Sequence, residues 1–204
     1  MGKYSTLIFD MGNVLISFSF EKMLSQVAAT SGLPVDHVKS LFIEDGVGIQ
    51  YERGEVSSKD LYDLLSKHAP APFSFDQFIE AGCNIFEPRP EMVKIVKKLK
   101  AKGLRLILLS NTNEAHYHYI SKNYDFLPLF DHLALSYKLH RVKPEKEIYQ
   151  AALSLADVEP KECFYIDDIP EYILAARKLG IQGHVYESHP HFLKTLQTEE
   201  ILDN

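Results

Sequence analysis

Five short apolar runs, at residues 6–9, 104–109, 133–135, 163–166 and 184–186, recur along the chain, most of them separated by stretches of helical periodicity. This alternation constrains the fold more than any other feature. Strands joined through helices run parallel, and a parallel sheet must be covered on both faces. The expected class is therefore α/β with a Rossmann-like parallel sheet. The covering helices are well marked. In residues 91–102 the apolar stripe is Met92, Val93, Ile95, Val96 and Leu99, with Pro90 suited to the first helical position and Gly103 to the stop. In "VKPEKEIYQAALSLA", Ile148, Ala151, Ala152 and Leu155 share a face. In "DDIPEYILAARKLG", Ala175 and Ala176 permit close approach to the sheet before Gly180 ends the helix.

Residues 17–87 break the alternation. They carry helix signals without a credible strand, in "SFEKMLSQVAATSG", "PVDHVKSLFIED", "SSKDLYDLLSKHA" and "SFDQFIEAGCNIF". Ser57 and Ser74 have the character of N-caps, with Asp60 and Gln77 three residues on. The expected organisation is a core domain built from residues 1–16 and 88–204, with residues 17–87 inserted as a helical cap hinged near Ser17 and Pro88.

With 204 residues, 46% of them hydrophobic, the chain has ample material for such a core. A formal net charge of -6, with acids spread along the sequence, argues against nucleic acid as a partner. The opening "MGKYSTLIFD" lacks a signal-peptide pattern, and no apolar run reaches membrane-spanning length. The only two cysteines, Cys83 and Cys163, sit far apart in apolar surroundings, so they read as core residues in a reducing cytoplasm. Oligomeric state is not encoded in any readable pattern.

In open α/β sheets, ligands gather beyond the carboxyl ends of the strands. There the sequence places Asp10 after the first strand, Ser110 and Asn111 after the second, Lys143 in "RVKPE" before a helix, and Asp167 with Asp168 after the fourth. Three carboxylates meeting in one crevice need a compensating cation, and oxygen-only ligands favour magnesium. Magnesium in turn suggests a phosphorylated small molecule.

The segments "FDMGNVL", "LLSNT", "RVKPEKEIY" and "FYIDDIPEYILAARKLG", in this order, resemble the four motifs of the haloacid dehalogenase superfamily. The resemblance covers essentially the whole chain and is to the phosphatase-type branch with a helical cap. Within that branch, the chain is similar to the α-glucose-1-phosphate phosphatase type and to the N-terminal phosphatase domain of soluble epoxide hydrolases. It implies a hydrolase in which Asp10 is the nucleophile. Ser110 and Asn111 would bind the phosphoryl group or substrate, Lys143 would balance charge, and backbone amides near Met11 and Gly12 would complete the anion cradle. Magnesium would be held by Asp10, the Gly12 carbonyl and Asp168, with Asp167 in support. A sugar phosphate is one candidate substrate.

One departure stands out. Phosphatases of this superfamily usually carry a second aspartate two positions after the nucleophile, and this chain has Gly12. A missing proton donor would slow esters with basic leaving groups, unless a cap residue or the substrate supplies the proton. Two other functions remain in view: a metal-free dehalogenase, and a phosphate-binding regulatory protein without turnover. Several other residues carry bland expectations. Asn113 reads as an N-cap, and His116 as a surface helix position or, following "LLSNT" closely, as a substrate contact. Arg53 in "YERGE" belongs to a turn between cap helices or faces the substrate, and Phe18 and Phe20 pack between cap and core or line the entrance. His184, His189 and His191 lack a common zinc spacing.

Overall fold

The computed structural model describes residues 3–203. The first half contains β1 (Thr6–Phe9), β2 (Ile16–Phe18), α1 (Phe20–Ser31), α2 (Val35–Ile43), α3 (Val47–Glu52), α4 (Ser58–His68), α5 (Phe75–Cys83) and β3 (Phe86–Pro88). Next come α6 (Pro90–Ala101), β4 (Arg105–Ser110), α7 (Glu114–Asn123), β5 (His132–Leu135) and α8 (Ser136–Leu139). The chain closes through α9 (Lys146–Ala156), β6 (Cys163–Asp167), α10 (Pro170–Arg177), β7 (Gln182–Val185) and α11 (His189–Thr198). Five strands form one parallel sheet in the order β5-β4-β1-β6-β7.

Side chains alternate across β1, and both faces are covered. Leu7 and Phe9 join Leu108 and Ile166 against α6 and α11, where Val96, Leu99, Phe192 and Leu196 are buried. Ile8 joins Ile107, Leu109 and Tyr165 on the opposite face, against Ile148 and Ala152 of α9 and Ile173 of α10. The continuous apolar run in β1 follows from this double coverage. Cys83 and Cys163 are buried free thiols. Among the described residues no helix is long and apolar enough to cross a membrane.

Helices α1–α5 enclose an apolar cluster of their own, with Leu24, Val27, Val38, Leu61, Leu65 and Phe78 at its centre. Ser57 and Ser74 each complete a reciprocal capping box, with Asp60 and Gln77. The expectation of no strand between residues 17 and 87 needs correcting. β2 and β3 pair antiparallel at the two ends of this segment, with Ser17 opposite Glu87. Strands of three residues are too short to display a period of two. The "YERGE" segment is also more than a turn, because Tyr51 and Glu52 close α3.

The helical segment is tied to the sheet layer at the end of α3. Ser136 Oγ donates to the Glu52 carbonyl at 2.7 Å, and His140 Nδ1 donates to the Arg53 carbonyl at 2.8 Å. Arg53 forms an ion pair with Glu145 rather than facing a ligand. Gly54 follows at φ 68°, and a Cβ there would lie 2.3 Å from the Tyr137 carbonyl oxygen. Only glycine permits both the left-handed backbone and this approach. Gly54→Ala should therefore cost about 1–3 kcal/mol of stability in urea unfolding. A change below about 0.5 kcal/mol, the scale of an ordinary surface substitution, would show that the contact is not fixed in this way.

Candidate active site

Because β4, β1 and β6 are neighbours, their carboxyl ends bring Ser110, Asp10 and Asp167 side by side. The Asp10 backbone N–H extends the ladder by donating to the Ile166 carbonyl at 2.8 Å. Lys143 enters from the loop between α8 and α9, and its backbone is clamped by Asn111. The Lys143 N–H donates to Asn111 Oδ1 at 2.8 Å, while Asn111 Nδ2 donates to the Lys143 carbonyl at 3.2 Å. Asn111, expected to position substrate, thus holds the strand of chain that carries the lysine.

The lysine ammonium donates to Asp10 Oδ1 and to Asp167 Oδ2, each at 2.7 Å. Lys143 is 3% exposed and Asp167 0%, so this is an ion pair out of bulk water. Asp167 also accepts from the Tyr165 hydroxyl and from the Ile169 N–H at 2.8 Å. Three bonds in all fix its two oxygens. Asp168 is half-buried and accepts from Asn13 Nδ2 at 3.2 Å. Ligand atoms of Asp10, Asp167 and Asp168 lie within 4.8 Å of one another.

One ammonium cannot neutralise three carboxylates. Burial pulls the Lys143 ammonium down, yet Asp10 and Asp167 outweigh this and raise it above the ordinary lysine range. The excess negative charge falls on the remaining acids. Burial pushes Asp10 up to about 7, with Asp167 adding to the rise against the pull of Lys143. Burial likewise raises Asp168, again with help from Asp167. The cluster therefore lacks positive charge, and the donor set, carboxylate oxygens only, suits a hard divalent cation.

A cavity of about 260 Å³ lies beside this cluster, between the sheet edge and the helical segment, and Met11, Gly12, Ser110 and Asn111 form its core side. Its other walls are largely apolar, including Ile16, Met23, Phe42, Ile85 and Phe86. Phe18, Phe20 and Ile49 also line it and stay 42%, 39% and 43% exposed, so these rings and side chains form its rim. The entrance position considered for Phe18 and Phe20 is the one observed.

These geometric relations are matched by similarity to known proteins. The family description "haloacid dehalogenase-like hydrolase" fits residues 4–180. The chain belongs to this family. A sesquiterpene phosphatase of Aspergillus oryzae is 26% identical over 191 residues, covering 91% of each chain. A D-ribitol-5-phosphate phosphatase of Bacteroides thetaiotaomicron is 22% identical over 183 residues, covering 86% of this chain and 88% of its own. Among solved structures, a HAD family enzyme of Bacteroides thetaiotaomicron in complex with magnesium and inorganic phosphate superposes with a TM-score of 0.82. It is 27% identical and covers 93% of this chain and 98% of its own.

Within this haloacid dehalogenase-like frame, three residues escaped the sequence reading. Asn13 sits at φ 53°, a conformation asparagine tolerates, and its turn aims the amide at Asp168. The Gly-Asn dipeptide was the available signal. Tyr165 lies two residues before Asp167 on the same strand, hence on the same face. Glu52 reaches the cavity from α3 and has no local sequence signal.

His116 corrects an expectation. It is not a surface helix residue, because it lines the cavity, its Nε2 donates to the Gly82 carbonyl at 3.1 Å, and its Nδ1 accepts from Asn113 Nδ2 at 3.0 Å. Asn113 meanwhile caps α7 as expected. Burial lowers the His116 imidazole to about 4 against a modest opposing pull from the Gly82 carbonyl. Between pH 6.5 and 4 the unfolded chain therefore binds the extra proton, and stability is lost as pH falls. Between pH 7 and 5 the native protein should lose about 2 kcal/mol more than His116→Asn in urea unfolding. Asp10, whose shift has the opposite sign, is common to both and cancels. Parallel pH profiles would refute the buried neutral imidazole.

Proposed function

We propose that the protein is a magnesium-dependent phosphatase hydrolysing small phosphate monoesters through an aspartyl-phosphate on Asp10. The observation that carries this reading is the Lys143 ammonium shared between Asp10 and Asp167, with Asp168 alongside, at the carboxyl edge of the sheet. Lys143 orients one oxygen of Asp10 and leaves the other for attack on phosphorus. The Ser110 hydroxyl, 1% exposed at the strand end, and the backbone N–H groups near Met11 and Gly12 would hold the phosphoryl oxygens. Magnesium would be held by Asp10, the Gly12 carbonyl and Asp168, with Asp167 in support, and when bound it supplies positive charge against the phosphoryl oxygens. Asn13 would keep the Asp168 carboxylate turned toward it. Residues 17–87 act as the cap that closes the site to water.

The magnesium and phosphate of the Bacteroides structure support this assignment, as do the phosphatase names of the relatives. A metal-free dehalogenase is disfavoured, since Asp167 and Asp168 would repel a carboxylate substrate. Asp10→Asn should lower turnover of an aryl phosphate by more than about a thousandfold, and a chelator should abolish native turnover until magnesium is returned. Chelator-resistant release of chloride from a 2-chloroacid would instead establish the dehalogenase. Magnesium-dependent binding of a phosphate analogue without turnover of any activated ester would establish the regulatory protein.

The cavity bears on the organic group. It lies just below the usual range of about 300–1,000 Å³ for ligand pockets, and its free polar side chains are few. One relative is named for a sesquiterpene and another for D-ribitol 5-phosphate. The apolar walls and rim favour an apolar organic group over a polyol or a sugar. An isoprenyl monophosphate should therefore exceed D-ribitol 5-phosphate and glucose 1-phosphate in kcat/KM by at least about tenfold, the equivalent of roughly two buried methylenes. The reverse order would return the site to the sugar phosphates.

A further inference from the structure

Displacement at phosphorus frees an oxygen that must gain a proton unless it leaves as a stable anion. Gly12 has no side chain to give one, and most of the other polar groups around the site are committed. The Lys143 ammonium is held between two carboxylates. Asp167 is fixed by Lys143, Tyr165 and Ile169, and Asp168 by Asn13. The Tyr51 hydroxyl is paired with Ser58 Oγ at 2.6 Å. His116 is neutral near physiological pH, with both ring nitrogens bonded. Glu52 is different. It lines the same cavity as Gly12 and Ser110, is half-buried there, and among the described residues no hydrogen bond or ion pair holds its carboxyl.

Its position is fixed from both sides. Ser136 holds the Glu52 carbonyl, and Tyr51 is anchored by Ser58. The next residues are held by the Arg53–Glu145 ion pair and by the Gly54 contact with Tyr137. The backbone of Glu52 is thereby held at the cavity wall, and its carboxyl is left free to exchange a proton.

Building on the phosphatase reading above, we infer that Glu52 is the proton donor and acceptor of this site, supplied by the helical segment in place of a side chain at position 12. Burial raises its carboxyl above the ordinary range, against the pull of Lys143, which favours the protonated form required at the start. In the first step an Asp10 oxygen bonds to phosphorus, the ester P–O bond breaks, and the Glu52 proton passes to the departing oxygen. In the second step water attacks the phosphorus of the aspartyl-phosphate and gives its proton to the Glu52 carboxylate. The P–O bond to Asp10 then breaks, and phosphate leaves. Ester and water become alcohol and phosphate, and both side chains return to their starting states.

The test is a leaving-group series with magnesium present, comparing the native protein with Glu52→Gln. The native protein should show a shallow dependence of single-turnover phosphorylation on leaving-group basicity. Glu52→Gln should lose about 10²–10⁴-fold on an n-alkyl phosphate but less than about tenfold in the first step on p-nitrophenyl phosphate. It should also release one equivalent of nitrophenol in a burst as phosphorylated Asp10 accumulates, because the second step lacks its base. Equal losses on both esters, or no loss on either, would overturn the role of Glu52 while leaving the phosphatase reading intact. A steep dependence in the native protein would overturn it without recourse to any variant. Absence of turnover on every ester by the native protein would instead remove the phosphatase reading, and this role with it.

Discussion

The Lys143 ammonium, placed between Asp10 and Asp167 on adjacent strands, is the interaction around which the rest is arranged. Two buried carboxylates at neighbouring strand ends would repel each other and pay a large desolvation cost alone. A shared cation removes most of that repulsion only if its geometry is fixed and the remaining lone pairs are satisfied. The fold meets both conditions. Asn111 clamps the lysine backbone, and Tyr165 with the Ile169 N–H completes the shell of Asp167. What is left uncompensated is one oxygen of Asp10 and the charge on Asp168, which is where a nucleophile and a metal ligand are wanted.

The same loop connects the cluster to the helical segment. Glu145, two residues after Lys143, accepts the Val142 N–H at 3.1 Å through one oxygen and pairs with Arg53 through the other. Ser136 Oγ accepts from the Thr112 N–H at 2.9 Å and donates to the Glu52 carbonyl across the gap. The end of α3 and the lysine loop are therefore joined through a continuous set of bonds. The bonds that place Glu52 at the cavity are thus continuous with those that hold Arg53, Glu145 and the lysine loop. On the proposed phosphatase reading, the helical segment would help assemble the catalytic groups as well as exclude water.

The sheet and its active edge were legible because their signals are local. A doubly buried strand reads as an apolar run, a helix as a stripe, and an acid at a strand end stands out against both; Asp10 and Asp167 were read on that basis, Lys143 through the motif "RVKPE", and the lysine lies 2.7 Å from each acid. The ribbon β2–β3 was not legible, since three residues in each strand carry no period. His116 was misplaced because helical spacing tells which residues share a face but not that a second layer of helices covers that face. Glu52 was invisible for a related reason. Nothing in "YERGE" distinguishes a solvated glutamate from one buried at a cavity, and only the docking of α3 on Ser136 and Tyr137 makes the difference.

Gly12 and the apolar cavity belong to the same arrangement. A Cβ at position 12 would lie 3.0 Å from the Phe18 ring and 4.0 Å from Asp10 Oδ2, while the backbone there is not in the left-handed region. The space at position 12 is thus limited by the neighbouring ring and not by the backbone's own φ. With no side chain at position 12, Phe18 of the β2–β3 ribbon packs close to the nucleophile, and the apolar wall reaches nearly to the phosphate position. A carboxylic acid in the same place would displace that ring and set a polar group where the organic part of the substrate begins. A proton donor at Glu52, supplied from α3, keeps acid chemistry available without a side chain at position 12. The missing aspartate and the phenylalanine-lined entrance are then two consequences of one choice, the placing of an apolar group directly against the scissile oxygen.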